Sequence, residues 1–374
     1  MIDTIVISIQ PKKFVSESDL FGAGWDLQNF SQGYKKFVKN QSAEQKRDKI
    51  YRPRPRFINR GISGLLQFEF SIPKLIFGNN VDEVCENDFD NILQTLQARL
   101  RDFGIYQYNQ DLRKASVSVF HPSKNILLSE GYTASGVIKE LRKINLTQKM
   151  DLTRDSFKND GHALHLHANS HELVVYDKIP DLIKPKGRAE DKDKTSMQLS
   201  LFQQFKKQDR PPEILRIEAR LANKRKMNAV LEKNGFAKNP TFEDIFKESV
   251  CKKIVASYWN EIVIKENLFL FGLSSGPKQV LKNLIKSYPC IKPKEAAYLV
   301  GLDRLSKDEN GIRELRGMLE KQATRRTWYR IANDMKKLNA IQNPASCHGW
   351  IRQVRDQIEA FQPLKIDDLL CKEM

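Results

Sequence analysis

The sequence predicts an α+β protein: an antiparallel sheet with packed helices over residues 1–240, then a smaller helical domain over 241–374. Three observations carry this reading. Strand-like and helix-like segments alternate through the first half, and a histidine-rich stretch at 162–178 alternates apolar and polar residues on both sides of a turn. From about residue 240 onward, apolar residues recur at three- and four-residue intervals.

Residues 4–9 (TIVISI), 64–72 (GLLQFEFSI) and 115–120 (ASVSVF) are rich in β-branched or aromatic residues and are expected to be strands. Between the last two, residues 88–103 place apolar side chains at 89, 92, 93, 96 and 100, one face of a helix. A second helix is expected over 134–144 and a hairpin over 162–178. Residues 214–221 should form a strand leading into another helix. The later segments 242–259, 278–286, 294–300 and 311–338 carry helical periodicity. The run 294–319 could hold a helix-turn-helix with its break at Gly301.

With 63 Lys and Arg against 46 Asp and Glu, the net charge of +17 draws the chain toward polyanions, nucleic acid first among them. Binding through phosphate contacts predicts that log affinity for duplex DNA falls linearly with log salt, by about 0.9 per phosphate contacted. A filter-binding series with a slope near zero would refute it. Two loops are expected to be exposed, 46–60 (KRDKIYRPRPRFINR) and 184–194 (KPKGRAEDKDK). The first offers Arg52, Arg54 and Arg56 to a phosphate backbone, with Tyr51 and Phe57 to stack on bases; a solvated connection is the alternative. Arg325 and Arg326, in the basic and aromatic TRRTWYR at 324–330, are further DNA-binding candidates, or else the outer face of an amphipathic helix.

Five scattered cysteines with no CxxC pair suit reduced thiols in a cytosol better than a disulfide framework or a zinc ribbon. With no apolar run of 18 residues and no cleavable leader, neither a membrane span nor export is expected.

Four of the six histidines, His162, His165, His167 and His171, fall within ten residues of one another. With Asn169 and Ser170 as the turn, His167 would oppose Glu172, His165 would oppose Val174 and Ala163 would oppose Tyr176. Directly opposite residues project from the same face, so His165, His167, Glu172 and Tyr176 would share it. His-apolar-His on a strand resembles the motif by which HUH nucleases present two neutral imidazoles to one divalent cation. Two histidines on a solvated sheet face are the structural alternative. On 214–221, alternation puts Arg216, Glu218 and Arg220 together, either as a simple ion-paired group or as a carboxylate that completes a metal site while the arginines hold phosphates.

Three stretches in order resemble the gene II/X replication initiators of filamentous phages: the opening MIDTIVISIQP, LVVYDK at 173–178, and EILRIEARLANKRKMNAVLEKNGF from residue 213. The resemblance covers residues 1 to about 246 and implies an HUH/Rep-like sheet. It also implies an origin-nicking activity through a 5′-phosphotyrosine that starts rolling-circle replication of a phage or plasmid in the cytosol of a bacterial host. Host helicase and polymerase would be partners. On this resemblance Tyr176 is the nucleophile, Glu218 the acidic metal ligand and Asp3 a further ligand. With His165 and His167 these would hold Mg2+ or Mn2+, and Lys178 would ease phenolate formation. The chain departs from the family at RKASVSVFH, where an Arg-x-Asp acid is absent and His121 or the histidine pair would replace it. Tyr258, on a predicted helix, is the runner-up nucleophile, ahead of Tyr288, Tyr298 and Tyr329. A non-catalytic origin-binding protein and a relaxase or transposase with the same chemistry are the competing readings.

Overall fold

Ten strands build the sheet among the described residues: β1 (Ile2–Ile9), β2 (Trp25–Ser31), β3 (Tyr34–Lys39), β4 (Arg54–Asn59), β5 (Gly64–Ser71), β6 (Ser116–Leu127), β7 (Ser156–Lys158), β8 (Ala163–His167), β9 (Glu172–Asp177) and β10 (Ile214–Arg220). They are ordered β2-β3-β4-β5-β1-β6-β10-β9-β8-β7, and every neighbouring pair is antiparallel. The computed structural model describes the whole chain except residues 11–24, 32–33, 60–63, 145–155, 159–161, 169, 183–194, 209–210, 274–275, 309–310, 322–324, 343–345 and 371–374. The loop expected at 184–194 lies outside the described residues.

β1 is central because its β-branched residues are buried on both faces: Ile2, Ile5, Val6 and Ile7 are all core. β6 joins the two halves of the sheet. Its first part pairs with β1 and its second, Ser123 to Leu127, with β10. The register with β1 shifts twice, bending the sheet at the join.

The apolar face is covered by helices. Phe89–Arg101 buries Phe89, Ile92, Leu93, Leu96 and Leu100, the stripe its spacing predicts. Glu248–Trp259, Lys224–Lys233 and Gly349–Ala360 pack against β6, and Trp259 meets Trp350 edge to face at 6.2 Å. Gln357 clasps the edge of β6, accepting from Leu127 N at 2.9 Å and donating to its carbonyl at 2.8 Å. Residue 240 therefore marks a change from mixed to helical structure with no break in the core: one apolar cluster runs from Ile2 through Ile217 to Val354.

The helix-turn-helix expected around Gly301 is corrected. Pro293–Lys307 is a continuous helix through Gly301, because a glycine flanked by helix formers on both sides does not by itself end a helix. The fold also holds a buried ion pair, Lys124 with Glu83 at 2.5 Å, both almost wholly covered. Glu83 further accepts from the backbone N–H groups of Asn125 and Leu364. It thus stitches the C-terminal segment to β6.

Candidate active site on the polar face of the sheet

The hairpin pairs in the register its alternation predicts. Ala163 lies opposite Tyr176, His165 opposite Val174 and His167 opposite Glu172, and Ala168 N–H donates to the His171 carbonyl at 2.9 Å. Next door, β10 places Arg216 opposite Tyr176, Glu218 opposite Val174 and Arg220 opposite Glu172. On its other side Arg216 faces Asn125 and Glu218 faces Ser123. One face of three adjacent strands, β8, β9 and β10, thus carries His165, His167, Glu172, Tyr176, Arg216, Glu218 and Arg220, while Leu164, Leu166, Leu173, Val175, Leu215 and Ile217 line the core on the other.

These side chains form a continuous network. The Tyr176 hydroxyl donates to Glu218 Oε2 at 3.1 Å. Arg220 Nε donates to Glu218 Oε1 at 2.8 Å, and its Nη1 lies 3.4 Å from Glu172 Oε2. Glu172 in turn meets His167 Nδ1 at 2.7 Å and His165 Nδ1 at 3.5 Å. His121 on β6 approaches Glu218 at 3.4 Å. Arg216 pairs with Asp3 at 3.2 Å and donates to the Asn80 carbonyl and the Ser123 hydroxyl, both at 2.9 Å. The face is graded in exposure. Arg216 and Glu218 are buried beside a satellite apolar cluster of Leu182, Leu201, Phe205 and Ile214, whereas His167, Glu172 and Arg220 are half-exposed at the other end.

Electrostatics follow from this burial. Burial pushes the Tyr176 phenol well above its ordinary value of 10. Burial alone would raise the Glu218 carboxyl, but Arg220, His121 and Arg216 outweigh it and hold it well below the usual range. Glu172 follows the same pattern: burial is outweighed by the His165 hydrogen bond, Arg220 and His167, leaving it at about 2. Both carboxylates are therefore ionised at neutral pH, and the phenol is protonated.

The residues best placed to hold a cation are His165, His167 and Glu172, whose ligand atoms all lie within 4.8 Å of one another. The set expected from sequence joined the two histidines to Glu218 and Asp3, whereas the geometry gathers Glu172 with them. Glu218 is two strands from His165 with Val174 between them, about 9–10 Å at ordinary strand spacing. It is engaged by Tyr176, Arg220 and His121 instead. Asp3 is drawn to Arg216 and accepts from the Thr4 hydroxyl at 3.0 Å. Glu172's place directly opposite His167 is the sequence signal that points to it as a candidate ligand.

Lys178 also lies elsewhere than expected. β9 ends at Asp177, and Lys178 opens a short helix, Lys178–Asp181, with its ammonium 3.2 Å from Asp181 and 5.3 Å from the Tyr176 ring centre. Burial, reinforced by Arg216, lowers its ammonium to about 8. It lies over the ring face of Tyr176 and in contact with an acid. Asp177, the cap of that helix, accepts from Ile179 N at 3.3 Å, and burial with Glu213 nearby raises it to about 6. Since this folded value exceeds the unfolded 3.8, the charge costs stability progressively as pH rises from about 4 to 6. Asp177→Asn, which keeps the cap, should stabilise the protein by about 1–3 kcal/mol at pH 7 and by nothing at pH 4. Denaturant melts giving the same increment at both pH values would contradict this.

The remaining candidates divide. Tyr258 sits on the opposite side of the sheet, on the core-packing helix Glu248–Trp259, its ring 5.7 Å from His171. Arg52 is a structural residue, 7% exposed, bonded to Asp48 at 2.6 Å and Asp102 at 2.8 Å. Arg56 pairs with Glu69, and Arg54 opens β4 in a half-buried position. The expected loop at 46–60 is shorter than its sequence suggests: the helix Ala43–Arg47 and the strand β4 bracket residues 48–53, of which Asp48, Lys49 and Ile50 are exposed. Phe57 is core and the Tyr51 hydroxyl accepts from Ser71 N at 2.7 Å, so neither ring is free to stack on a base. Arg325 and Arg326 begin the helix Arg325–Ala340, with Arg326 exposed.

Among the described residues no helix is long and apolar enough to cross a membrane. No family model, curated protein or solved structure matches this chain.

Proposed function

We propose that the chain nicks and rejoins one DNA strand at a replication origin, starting rolling-circle replication of a phage or plasmid through a phosphotyrosine at Tyr176. The observation that carries this reading is the Tyr176 hydroxyl hydrogen-bonded at 3.1 Å to an ionised carboxylate, Glu218, between two arginines and beside a two-histidine, one-carboxylate cluster. The Tyr176 oxygen attacks the scissile phosphorus and its proton passes to Glu218. The bond from phosphorus to the 3′ oxygen breaks, and that oxygen leaves as a hydroxyl by taking the proton from Glu218, which returns to its ionised form. Rejoining reverses each step, with the 3′ hydroxyl attacking the phosphotyrosine and the proton returning to Tyr176. Arg216 and Arg220 hold the phosphate oxygens and lower the cost of the developing charge.

His165, His167 and Glu172 suit a divalent cation, since imidazole nitrogens and a carboxylate are its ordinary donors. Bound there, Mn2+ or Mg2+ would neutralise charge on the reacting phosphate. Two nitrogen donors in three favour Mn2+ over Mg2+.

One observation favours a second reading, a non-catalytic origin-binding protein: Tyr176 is only 6% exposed, as in a satisfied buried network. Incubation with supercoiled DNA carrying the protein's own locus, with and without Mn2+, separates the two. The nicking reading expects metal-dependent open circles with protein attached to the 5′ end. Bound but intact supercoils would contradict it.

A further inference from the structure

Three helices in the C-terminal third, Pro293–Lys307, Gly311–Glu320 and Arg325–Ala340, pack on one another. Leu299 and Leu302 of the first, Ile312 and Leu315 of the second, and Trp328 and Leu338 of the third are buried.

The third helix spans about 24 Å over its 16 residues. Trp328, 1% exposed, turns inward with Met335 and Leu338. Of its exposed residues, Arg326, Tyr329, Arg330, Asn333 and Lys336 recur at three and four residues along the opposite stripe, with Thr327 and Ala340 exposed beside it. Two partly exposed carboxylates border the stripe, Asp334 one turn from Arg330 and Glu295 of the first helix, and cations outnumber them along it. Lys337 is half-buried and pairs with Glu295 of the first helix. Asn339 fixes the far end, its side chain accepting from Phe269 N at 3.1 Å and donating to the Ile264 and Lys265 carbonyls at 3.0 and 2.7 Å. That segment continues from the helix Glu248–Trp259, which packs on the sheet.

We infer that Arg325–Ala340 is a recognition helix that reads duplex DNA in the major groove. Its stripe is the chemistry of direct readout: guanidinium forks match the acceptors of guanine, a carboxamide matches adenine, and a lysine and a tyrosine hydroxyl suit phosphates. Arg330 and Asn333, one turn apart at the middle of the stripe, are the base-reading residues. The inference rests on the nicking reading only in calling the bound sequence an origin.

The test is binding-site selection by the full-length protein, in chelator so that nothing is cut, from random duplexes of about 20 bp, long enough for one major-groove site and its flanks. A short motif containing G and A should emerge. Arg330→Ala should erase preference at a G position and Asn333→Ala at an A position, each cutting the specific-to-random ratio about tenfold or more. Affinity for random duplex should fall no more than about threefold, and melting should barely change for these exposed positions. Failure to select any motif, an unchanged motif in both variants, or displacement of the selected duplex by equal single strand would overturn the inference. Tyr176→Phe should select the same motif. A chain that selects it and never nicks would keep this inference and lose the nicking one.

Discussion

Tyr176→Phe should abolish nicking, with a loss on the order of 10^4-fold or more, the scale seen when an enzyme's nucleophile is removed. The substitution deletes one oxygen and leaves the ring in place between β8 and β10. Glu218 keeps Arg220 and His121 as partners, so the lost 3.1 Å hydrogen bond should cost only about 1–2 kcal/mol of stability. That is small beside the 5–15 kcal/mol that typically holds a folded domain together. The variant should therefore melt as one transition, a few degrees lower, and bind DNA as before. Gel assays with a labelled strand would show no covalent adduct. An adduct at undiminished yield would move the nucleophile elsewhere and remove the chemical role assigned to this face.

The second large effect concerns the cation. His167→Ala combined with Glu172→Ala removes two of the three clustered ligands and should reduce Mn2+ affinity by about 100-fold or more, measured by calorimetry without DNA. Glu218→Gln should leave Mn2+ affinity within about threefold and still suppress nicking, because Glu218 lies outside the cluster and is the proposed acceptor of the phenol's proton. The opposite pattern, with Glu218→Gln losing the metal and the double variant keeping it, would return the cation to the Glu218 side of the face. Arg220 bridges the two carboxylates, so its replacement should disturb both measurements.

Much of this site is legible in the sequence because its information is local. The alternation through 163–167 and 172–177 fixes which side chains share a face, and a two-residue turn between them fixes the register. The observed pairing of His167 with Glu172 follows from those two facts alone. Choosing the third ligand needed strand order, which is a long-range property. Only the position of β10 beside β9 shows that Glu218 meets Tyr176 while Val174 separates it from His165. The same limit explains Arg52. Its partner Asp48 is four residues away and readable as a helical-type pair, but Asp102 is brought in by the fold from fifty residues downstream. β2 and β3 carry little strand signal in the sequence, since the Asp and Asn of WDLQNFS and the three lysines of YKKFVK are residue types depleted in strands, although β3 lies inside the sheet between β2 and β4. In the helical third, periodicity shows where helices run but not where one ends, and Gly301 lies inside one continuous helix although a glycine at that place suggests a break.

The most direct test of the central claim is to map the covalent link in the unaltered protein. After reaction with single-stranded DNA from its own locus in Mn2+, nuclease trimming and trypsin digestion would release the peptide ending at Lys178, in which Tyr176 is the sole tyrosine. The account predicts a nucleotide phosphate on Tyr176 in that peptide. The same mass on a peptide carrying Tyr258 or any other tyrosine, or no adduct under conditions where the DNA is cut, would contradict it.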